Sequence, residues 1–276
     1  MGITIKEAIK ELRQITSAGI MDCKKALVKS KGDIAKAVEQ MRKTGVADLN
    51  KKILGRKAKQ GQILISVSEK RAVMLEINSE TDFVSRHEEF KNFSSQVIQQ
   101  VLESKAENIE QVLNLNLNNS TTIQDECESL VKKFGENIVI SRIATINQKG
   151  TSFYNHDGRI GVLVLLEEEN ISLGKDIAMH IAAMDPISIF QNEIPEDIIS
   201  REKEVLKEQL INTKKNIKPK IFNTIMEGKI KKFINEKSLM GQNFVKNPKK
   251  TISDFLQEEN AKVVKYVCFR LGEDRN

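Results

Sequence analysis

The sequence predicts an α+β protein in which a small helical module precedes a core of two subdomains. Three observations lead to this prediction. Apolar residues recur at three- and four-residue spacing over residues 1–45. They alternate with polar residues in short runs after residue 62 and again after residue 137, as expected of strands in antiparallel sheets. Helical spacing returns after each group of strands.

Residues 1–45 are predicted to form three short helices. Thr4 and Glu7 form a capping box for the first helix, and the second helix is predicted over 21–30. Gly32 ends the second helix and Asp33 caps the third. The inward-facing residues are predicted to be Ile5, Ala8, Ile9, Leu12, Ile15, Cys23, Ala26, Leu27, Ile34, Ala37, Val38 and Met41. Because so small a core is marginal alone, the module is expected to be attached to a larger domain.

The core N-subdomain is predicted over 61–136, after a lysine-rich linker at 46–60. Its start, with apolar residues alternating between 63 and 77, predicts an antiparallel hairpin. Two amphipathic helices follow, and Gly135 ends the second. Their apolar faces are Phe90, Phe93, Val97, Ile98, Val101 and Leu102 in the first, and Ile123, Cys127, Leu130, Val131 and Phe134 in the second.

The core C-subdomain is predicted over 137–276. NIVISRIATI and RIGVLVLLEE predict strands, and LGKDIAMHIAAM predicts a helix that ends before Pro186. An antiparallel helical hairpin is predicted as an insertion at about 190–234, with Pro219 in the first turn of its second arm. VVKYVCFRL is predicted to rejoin the second sheet as a strand. The shared order of strands and helix suggests two related subdomains.

Composition and charge are those of an ordinary globular protein, with 39% hydrophobic and 30% charged residues. No apolar run approaches the ~18 residues of a membrane span, and the amphipathic start is unlike a signal peptide, so a cytoplasmic location without membrane contact is expected. The net charge of +6 is a mild excess, and its clusters are expected to be solvated. With no Trp and two Tyr, no specific nucleic-acid groove is expected.

No set of residues in the sequence predicts catalysis. The HExxH, GxSxG, P-loop and GxGxxG motifs are missing, and His87, His156 and His180 are each expected to be structural or solvated. Cys23 has lysine neighbours that would lower the pKa of a thiol, but its helical phase favours a core position. We therefore expect no catalytic residue, metal ligand, cofactor or intrinsic nucleotide binding, and a protein that works through a surface.

One stretch is a candidate for that surface, EINSETDFVSRHEEF at 76–90. Its strand pattern breaks at Thr81, Asp82, Phe83 and Val84, where an acid stands beside a large aromatic residue before helical spacing begins. This placement predicts that Phe83 contacts a partner. The alternative is a core residue that packs on Phe90.

Two long segments resemble the signature segments of the bacterial elongation factor Ts family. They are LRQITSAGIMDCKKAL at 12–27 and EINSETDFVSR at 76–86, and the resemblance continues through KKFGENIVISR, IAMHIAA and SLMGQNFV. It implies an N-terminal module similar to ubiquitin-associated domains, a two-subdomain α+β core and an inserted helical hairpin. It also implies a guanine-nucleotide exchange factor that binds elongation factor Tu, both GDP-bound and nucleotide-free.

The resemblance further implies which residues meet Tu. Thr81, Asp82, Phe83 and Val84 match the segment held to disturb the magnesium site of Tu. The N-terminal signature adds Arg13, Ile20 and Met21 as candidate contacts, and His180 is a further candidate. Many relatives carry another helical segment after the strand matching VCFRLGE, so contacts through that segment are not expected of a sequence ending at Asn276.

Two expectations about partners stay open. The helical hairpin offers a seam through which the chain would form a homodimer or a 2:2 complex with Tu. The rival function is a basic adaptor that binds the ribosome or RNA through the lysine-rich linker and the hairpin. Binding to RNA that falls steeply with salt would favour the adaptor, and a Tu complex broken by GDP would favour exchange.

Overall fold

The structure, a computed structural model, describes residues 8–9, 11–12, 16, 20–43, 53, 56–118, 121–213 and 219–273. Helices and strands mix along the chain, which confirms the α+β class. The chain divides into two compact units. Residues 1–64, 75–143 and 271–276 form the first, and residues 65–74 and 144–270 form the second. The subdomain limits given by the sequence stay predictions, and most of the linker at 46–60 lies outside the described residues.

The N-terminal helices bury the residues that their periodicity indicates. Helices α1 (Ile20–Lys29) and α2 (Ile34–Lys43) are joined by a turn in which Gly32 has φ +86°. Asp33 caps α2 by accepting a hydrogen bond from the backbone N–H of Lys36 at 3.0 Å. The buried cluster comprises Ala8, Leu12, Cys23, Ala26, Leu27, Ala37 and Met41. The inward positions of these seven residues are therefore confirmed, whereas Ile5 and Ile15 lie outside the described part.

The first sheet has three strands in the order β1-β2-β5, namely β1 (Gln60–Val67), β2 (Ala72–Ser79) and β5 (Ile138–Ile146). All eight residues of β2 are buried, so both faces of this strand are covered. The alternating pattern of the sequence predicted burial of one face only. Between β2 and β5 the chain forms α3 (Asp82–Arg86), α4 (Glu88–Glu103), α5 (Ile109–Leu113), the short strands β3 (Asn116–Asn118) and β4 (Thr121–Thr122), and α6 (Ile123–Phe134).

The second sheet is antiparallel, with the order β10-β7-β6. It consists of β6 (Ser152–His156), β7 (Ile160–Leu166) and β10 (Val263–Arg270), and α7 (Ile171–Met184) contributes to the same hydrophobic core. β10 runs beside β7 from the Val263–Leu166 pair to the Arg270–Ile160 pair. The return of VVKYVCFRL to the second sheet is therefore confirmed.

Two long helices, α8 (Glu196–Thr213) and α9 (Pro219–Lys237), contact each other as a helical hairpin, and Pro219 begins its second arm as expected. Ile199, Leu206 and Leu210 are buried, whereas Val205, Ile211 and Ile221 are exposed. A 3-10 helix precedes the hairpin (Gln191–Glu193) and another follows it (Leu239–Gly241). Strands β8 (Asn243–Phe244) and β9 (Asn247–Thr251) and helix α10 (Ile252–Glu258) then lead to β10.

Candidate partner-binding site

The segment Thr81 to Val84 leads from the buried strand β2 into a very short helix. Thr81 is extended, with φ −119° and ψ 159°, and α3 begins at Asp82. This turn exposes 82% of Phe83 and leaves 6% of Val84 exposed. Phe90, the residue on which a buried Phe83 would pack, is itself fully buried. Phe83 therefore faces outward, whereas the buried Val84 packs the short helix against the rest of the protein.

Hydrogen bonds hold Thr81 in place from outside the helix. The backbone N–H of Thr81 donates to Oε2 of Glu136 at 3.0 Å, and its hydroxyl donates to Oε1 of the same carboxylate at 2.7 Å. Its carbonyl accepts from the hydroxyl of Ser79 at 2.8 Å. All three hydrogen-bonding groups of Thr81 are thus engaged. The side chain makes no capping bond to α3 itself.

Glu80, next to Thr81, forms a second link between the loop before α3 and the segment after α6. Oε1 of Glu80 accepts from the backbone N–H of Asn137 at 2.7 Å, and it lies 3.6 Å from the guanidinium of Arg56. Glu80 reaches from the loop before α3 to the segment after α6, whereas Glu136 reaches the other way. Together, the bonds of Glu80 and Glu136 fix the position of the loop that carries Phe83.

Asp82 places a negative charge beside the exposed ring. Its carboxylate forms an ion pair with Arg86, one turn later, at 2.9 Å, and 44% of the Asp82 side chain is exposed. Exposed pairs of this kind contribute about 0–1 kcal/mol. The carboxylate can therefore exchange Arg86 for a group on a partner at little cost.

His87 ends the short helix and begins the next one. Its N–H donates to the carbonyl of Val84 at 3.0 Å, and its Nδ1 accepts from the N–H of Glu89 at 3.3 Å. The imidazole also meets the edge of Phe134, with centroids 5.0 Å apart and planes at 70°. His87 caps α4, and its contacts favour the structural role over a catalytic one.

The other candidate contacts are less completely described. Arg13 lies outside the described residues, and Ile20 and Met21 open α1, although their side chains are outside the described part. Their contact with Tu stays a prediction. Downstream on the same helix, Cys23 is fully buried, as its helical phase indicated.

His180 is a fully buried residue of α7. Its Nδ1 accepts from the backbone N–H of Val245 at 3.2 Å, so its Nε2–H donates to Oε1 of Gln242 at 3.0 Å. Burial lowers the pKa of His180 below its ordinary value of 6.5, against an opposing effect of the Gln242 bond. The ring is thus held neutral inside the second unit, and contact of His180 with a partner stays a prediction.

The described residues offer little for catalysis or metal binding. Among them, no group of three or more His, Cys, Asp or Glu is arranged to hold a metal ion. Burial and two neighbouring glutamates raise the pKa of the Cys127 thiol to about 12, which opposes thiolate formation. None of the helices in the described ranges is long and apolar enough to cross a membrane.

Comparison with known proteins decides the family. The family model described as "Elongation factor TS" matches residues 80–273. The chain is 42% identical over 269 residues to "Elongation factor Ts" of Legionella pneumophila strain Paris, covering 96% of this chain and 91% of the relative. It is 40% identical over 266 residues to the protein of that name from Francisella tularensis subsp. novicida strain U112, with the same coverage. The chain belongs to the elongation factor Ts family. Membership of the elongation factor Ts family assigns it to translation elongation in protein biosynthesis.

Sequence reasoning found the exposed segment but missed the residues that hold it. Glu136 and Glu80 were not singled out, although each crosses between the Thr81 loop and the segment after α6. Neither glutamate lies on a periodic apolar face, so the hydrophobic pattern of the sequence does not identify them. The available local signal is Gly135, the left-handed end of α6 with φ 72°, which marks a turn just before Glu136.

Proposed function

We propose that this chain is a guanine-nucleotide exchange factor that binds elongation factor Tu and promotes GDP release by disturbing the magnesium and phosphate site of Tu. Membership of the elongation factor Ts family supports Tu as the partner. The observation that carries the proposal is Phe83, 82% exposed on a braced helix beside the carboxylate of Asp82. The role needs no covalent chemistry in this chain.

The physical basis is linkage between two ligands of Tu. GDP is held by a phosphate loop and by magnesium, so its release requires many charge-assisted contacts to break. A protein that binds nucleotide-free Tu better than GDP-bound Tu weakens GDP binding by the same factor. Phe83 acts as an apolar wedge and gains ~1.5–3 kcal/mol if Tu buries it fully. Asp82 acts by its charge near the magnesium site.

The N-terminal module supplies a second contact in this proposal, through Arg13, Ile20 and Met21. Its buried cluster is made of its own residues, which supports a module that folds separately from the core. Deleting residues 1–50 should therefore leave a folded core that binds Tu poorly. A truncated protein that stimulates GDP release as well as the full chain would remove this contact from the proposal.

The helical hairpin has a different proposed role, in self-association or in a 2:2 complex with Tu. Exposed apolar side chains on both arms support it, namely Val205 and Ile211 on α8 and Ile221 on α9. Buried Leu206 and Leu210 show that other apolar residues of α8 are already covered. The hairpin is not part of the proposed exchange step.

The test is stopped-flow release of fluorescent GDP from Tu, with excess unlabelled GDP and increasing concentrations of this protein. We expect the release rate to rise with concentration and then to saturate. Phe83→Ala is the matched variant, since it removes the wedge alone. An unchanged release rate with the full chain, despite correct folding by circular dichroism, would overturn the proposal.

A further inference from the structure

Glu136 stands at the point where helix α6 ends and the chain turns toward strand β5. Gly135 takes the left-handed conformation, with φ 72°, and Glu136 follows it. The two carboxylate oxygens of Glu136 each accept one hydrogen bond from Thr81, at 3.0 Å and 2.7 Å. One bond comes from the backbone and the other from the side chain, so the position and the rotation of Thr81 are both fixed.

We propose that Glu136 is the positioning residue for Phe83: it holds the start of helix α3 in the orientation in which Phe83 enters its partner. This inference rests on the proposed function, because it assigns Glu136 to the same site. Glu136 acts through Thr81 and is not itself placed against the partner.

Helix α3 needs an external support of this kind. It has five residues, and helices this short are not stable alone in water. The Thr81 side chain makes no capping bond to α3, and its hydroxyl donates to Glu136 on another segment. A carboxylate that accepts from two donors gives charge-assisted bonds with defined geometry. Glu136 therefore anchors Thr81, the residue that leads into α3, and does not cap the helix itself.

The orientation of α3 matters because the Phe83 side chain makes few packing contacts within its own chain. With 82% of the residue exposed, the direction of the ring is set by the backbone that carries it. A loop that is ordered before binding loses less conformational entropy in the complex. When only a fraction of molecules holds the binding conformation, the apparent affinity falls by that fraction. Loosening Thr81 should thus weaken exchange without removing any atom that meets Tu.

The first test measures the mobility of the site in the isolated protein. The chain has no Trp, so Phe83→Trp introduces a single Trp as the reporter, and the exposed position accommodates the larger ring. In this background we compare Glu136→Gln with Glu128→Gln, whose parent carboxylate accepts a bond from Gln124 on its own helix. Glu136→Gln should increase the amplitude of nanosecond anisotropy decay, and Glu128→Gln should not.

The second test measures GDP release with Phe83 intact. Glutamine keeps one carbonyl acceptor but turns an amide donor toward the donors of Thr81, so Glu136→Gln should lower the release rate at subsaturating concentration about five- to tenfold. Thr81→Val keeps the backbone donor but removes the hydroxyl donor to Glu136, so it should also lower the release rate. The double variant of Glu136→Gln and Thr81→Val should lose no more than the worse single variant.

The outcomes separate the two proposals. Unchanged anisotropy in Glu136→Gln, or losses in the double variant that multiply, would overturn the positioning role even if Phe83→Ala still abolishes exchange. A full chain that does not accelerate GDP release would refute the proposed function, and the anisotropy measurement would still decide whether Glu136 orders the site. A drop in the unfolding midpoint large enough to explain the lost activity would also overturn the positioning role.

Discussion

Replacing Phe83 with alanine should separate binding from stability, because the ring is outside the core. A buried Phe→Ala substitution costs about 3–5 kcal/mol. Phe83 is 82% exposed, so less than a fifth of the ~1.5–3 kcal/mol expected for full burial is at stake, or about 0.5 kcal/mol. Alanine is also the better helix former by about 0.5 kcal/mol, which offsets this loss. The net change in folding free energy should be close to zero.

The assay pairs thermal unfolding with GDP release from Tu. Phe83→Ala should shift the unfolding midpoint by about 2 °C or less, since 1 kcal/mol corresponds to roughly 2–4 °C in a protein of this size. The release rate should fall about 10- to 160-fold, which corresponds to the loss of ~1.5–3 kcal/mol of burial in the partner.

Phe90→Ala is the stability control, because Phe90 is fully buried on the following helix. It should lower the unfolding midpoint by about 6 °C or more. The reasoning fails if Phe83→Ala destabilises the protein as much as Phe90→Ala does. It also fails if GDP release is undiminished when Phe83 is truncated.

Three further predictions concern charge, assembly and pH. Asp82→Ala should slow GDP release more at millimolar magnesium than after chelation, because chelation removes the ion that the carboxylate is proposed to disturb; equal losses would contradict this. Deleting residues 196–234 should change the oligomeric state measured by light scattering while GDP release stays near that of the full chain. An unchanged oligomeric state with slower GDP release would exclude the hairpin's proposed role. The lowered pKa of buried His180 means that the unfolded state binds a proton first, so the free energy of unfolding should decrease as the pH falls below 6.5. His180→Gln should reduce that slope in urea titrations, and an unchanged slope would assign it to other groups.

The ends of helices were predictable because local chemistry determines them. Gly32 and Gly135 both take positive φ at the positions where the sequence ends a helix, and Pro219 begins one. The short antiparallel pairs were not predicted. Strands β3 and β4, and β8 and β9, have two to five residues each, too few to establish a period of two.

In the candidate site, too, the features set by neighbouring residues were predictable and those set by residues distant in sequence were not. The Thr81 to Val84 segment was visible because an acid and an aromatic residue follow a strand pattern. The bonds that support it join residues 55 positions apart for Thr81 and Glu136, and 57 apart for Glu80 and Asn137. His180 likewise meets Gln242 across 62 positions. Polar pairing at such separations depends on the tertiary fold, and a single sequence gives no register for it.

The exposed Phe83 is difficult to explain by folding alone. Phenylalanine is a weaker helix former than alanine, and at this position it covers little apolar surface in its own chain. Two acids from separate segments nevertheless brace the loop that presents it, and each meets a backbone N–H with its carboxylate. An ordered support beneath an unpacked aromatic ring contributes little to stability through that ring. It lowers the entropy lost when the ring is buried by another molecule, which is the condition that a binding wedge requires.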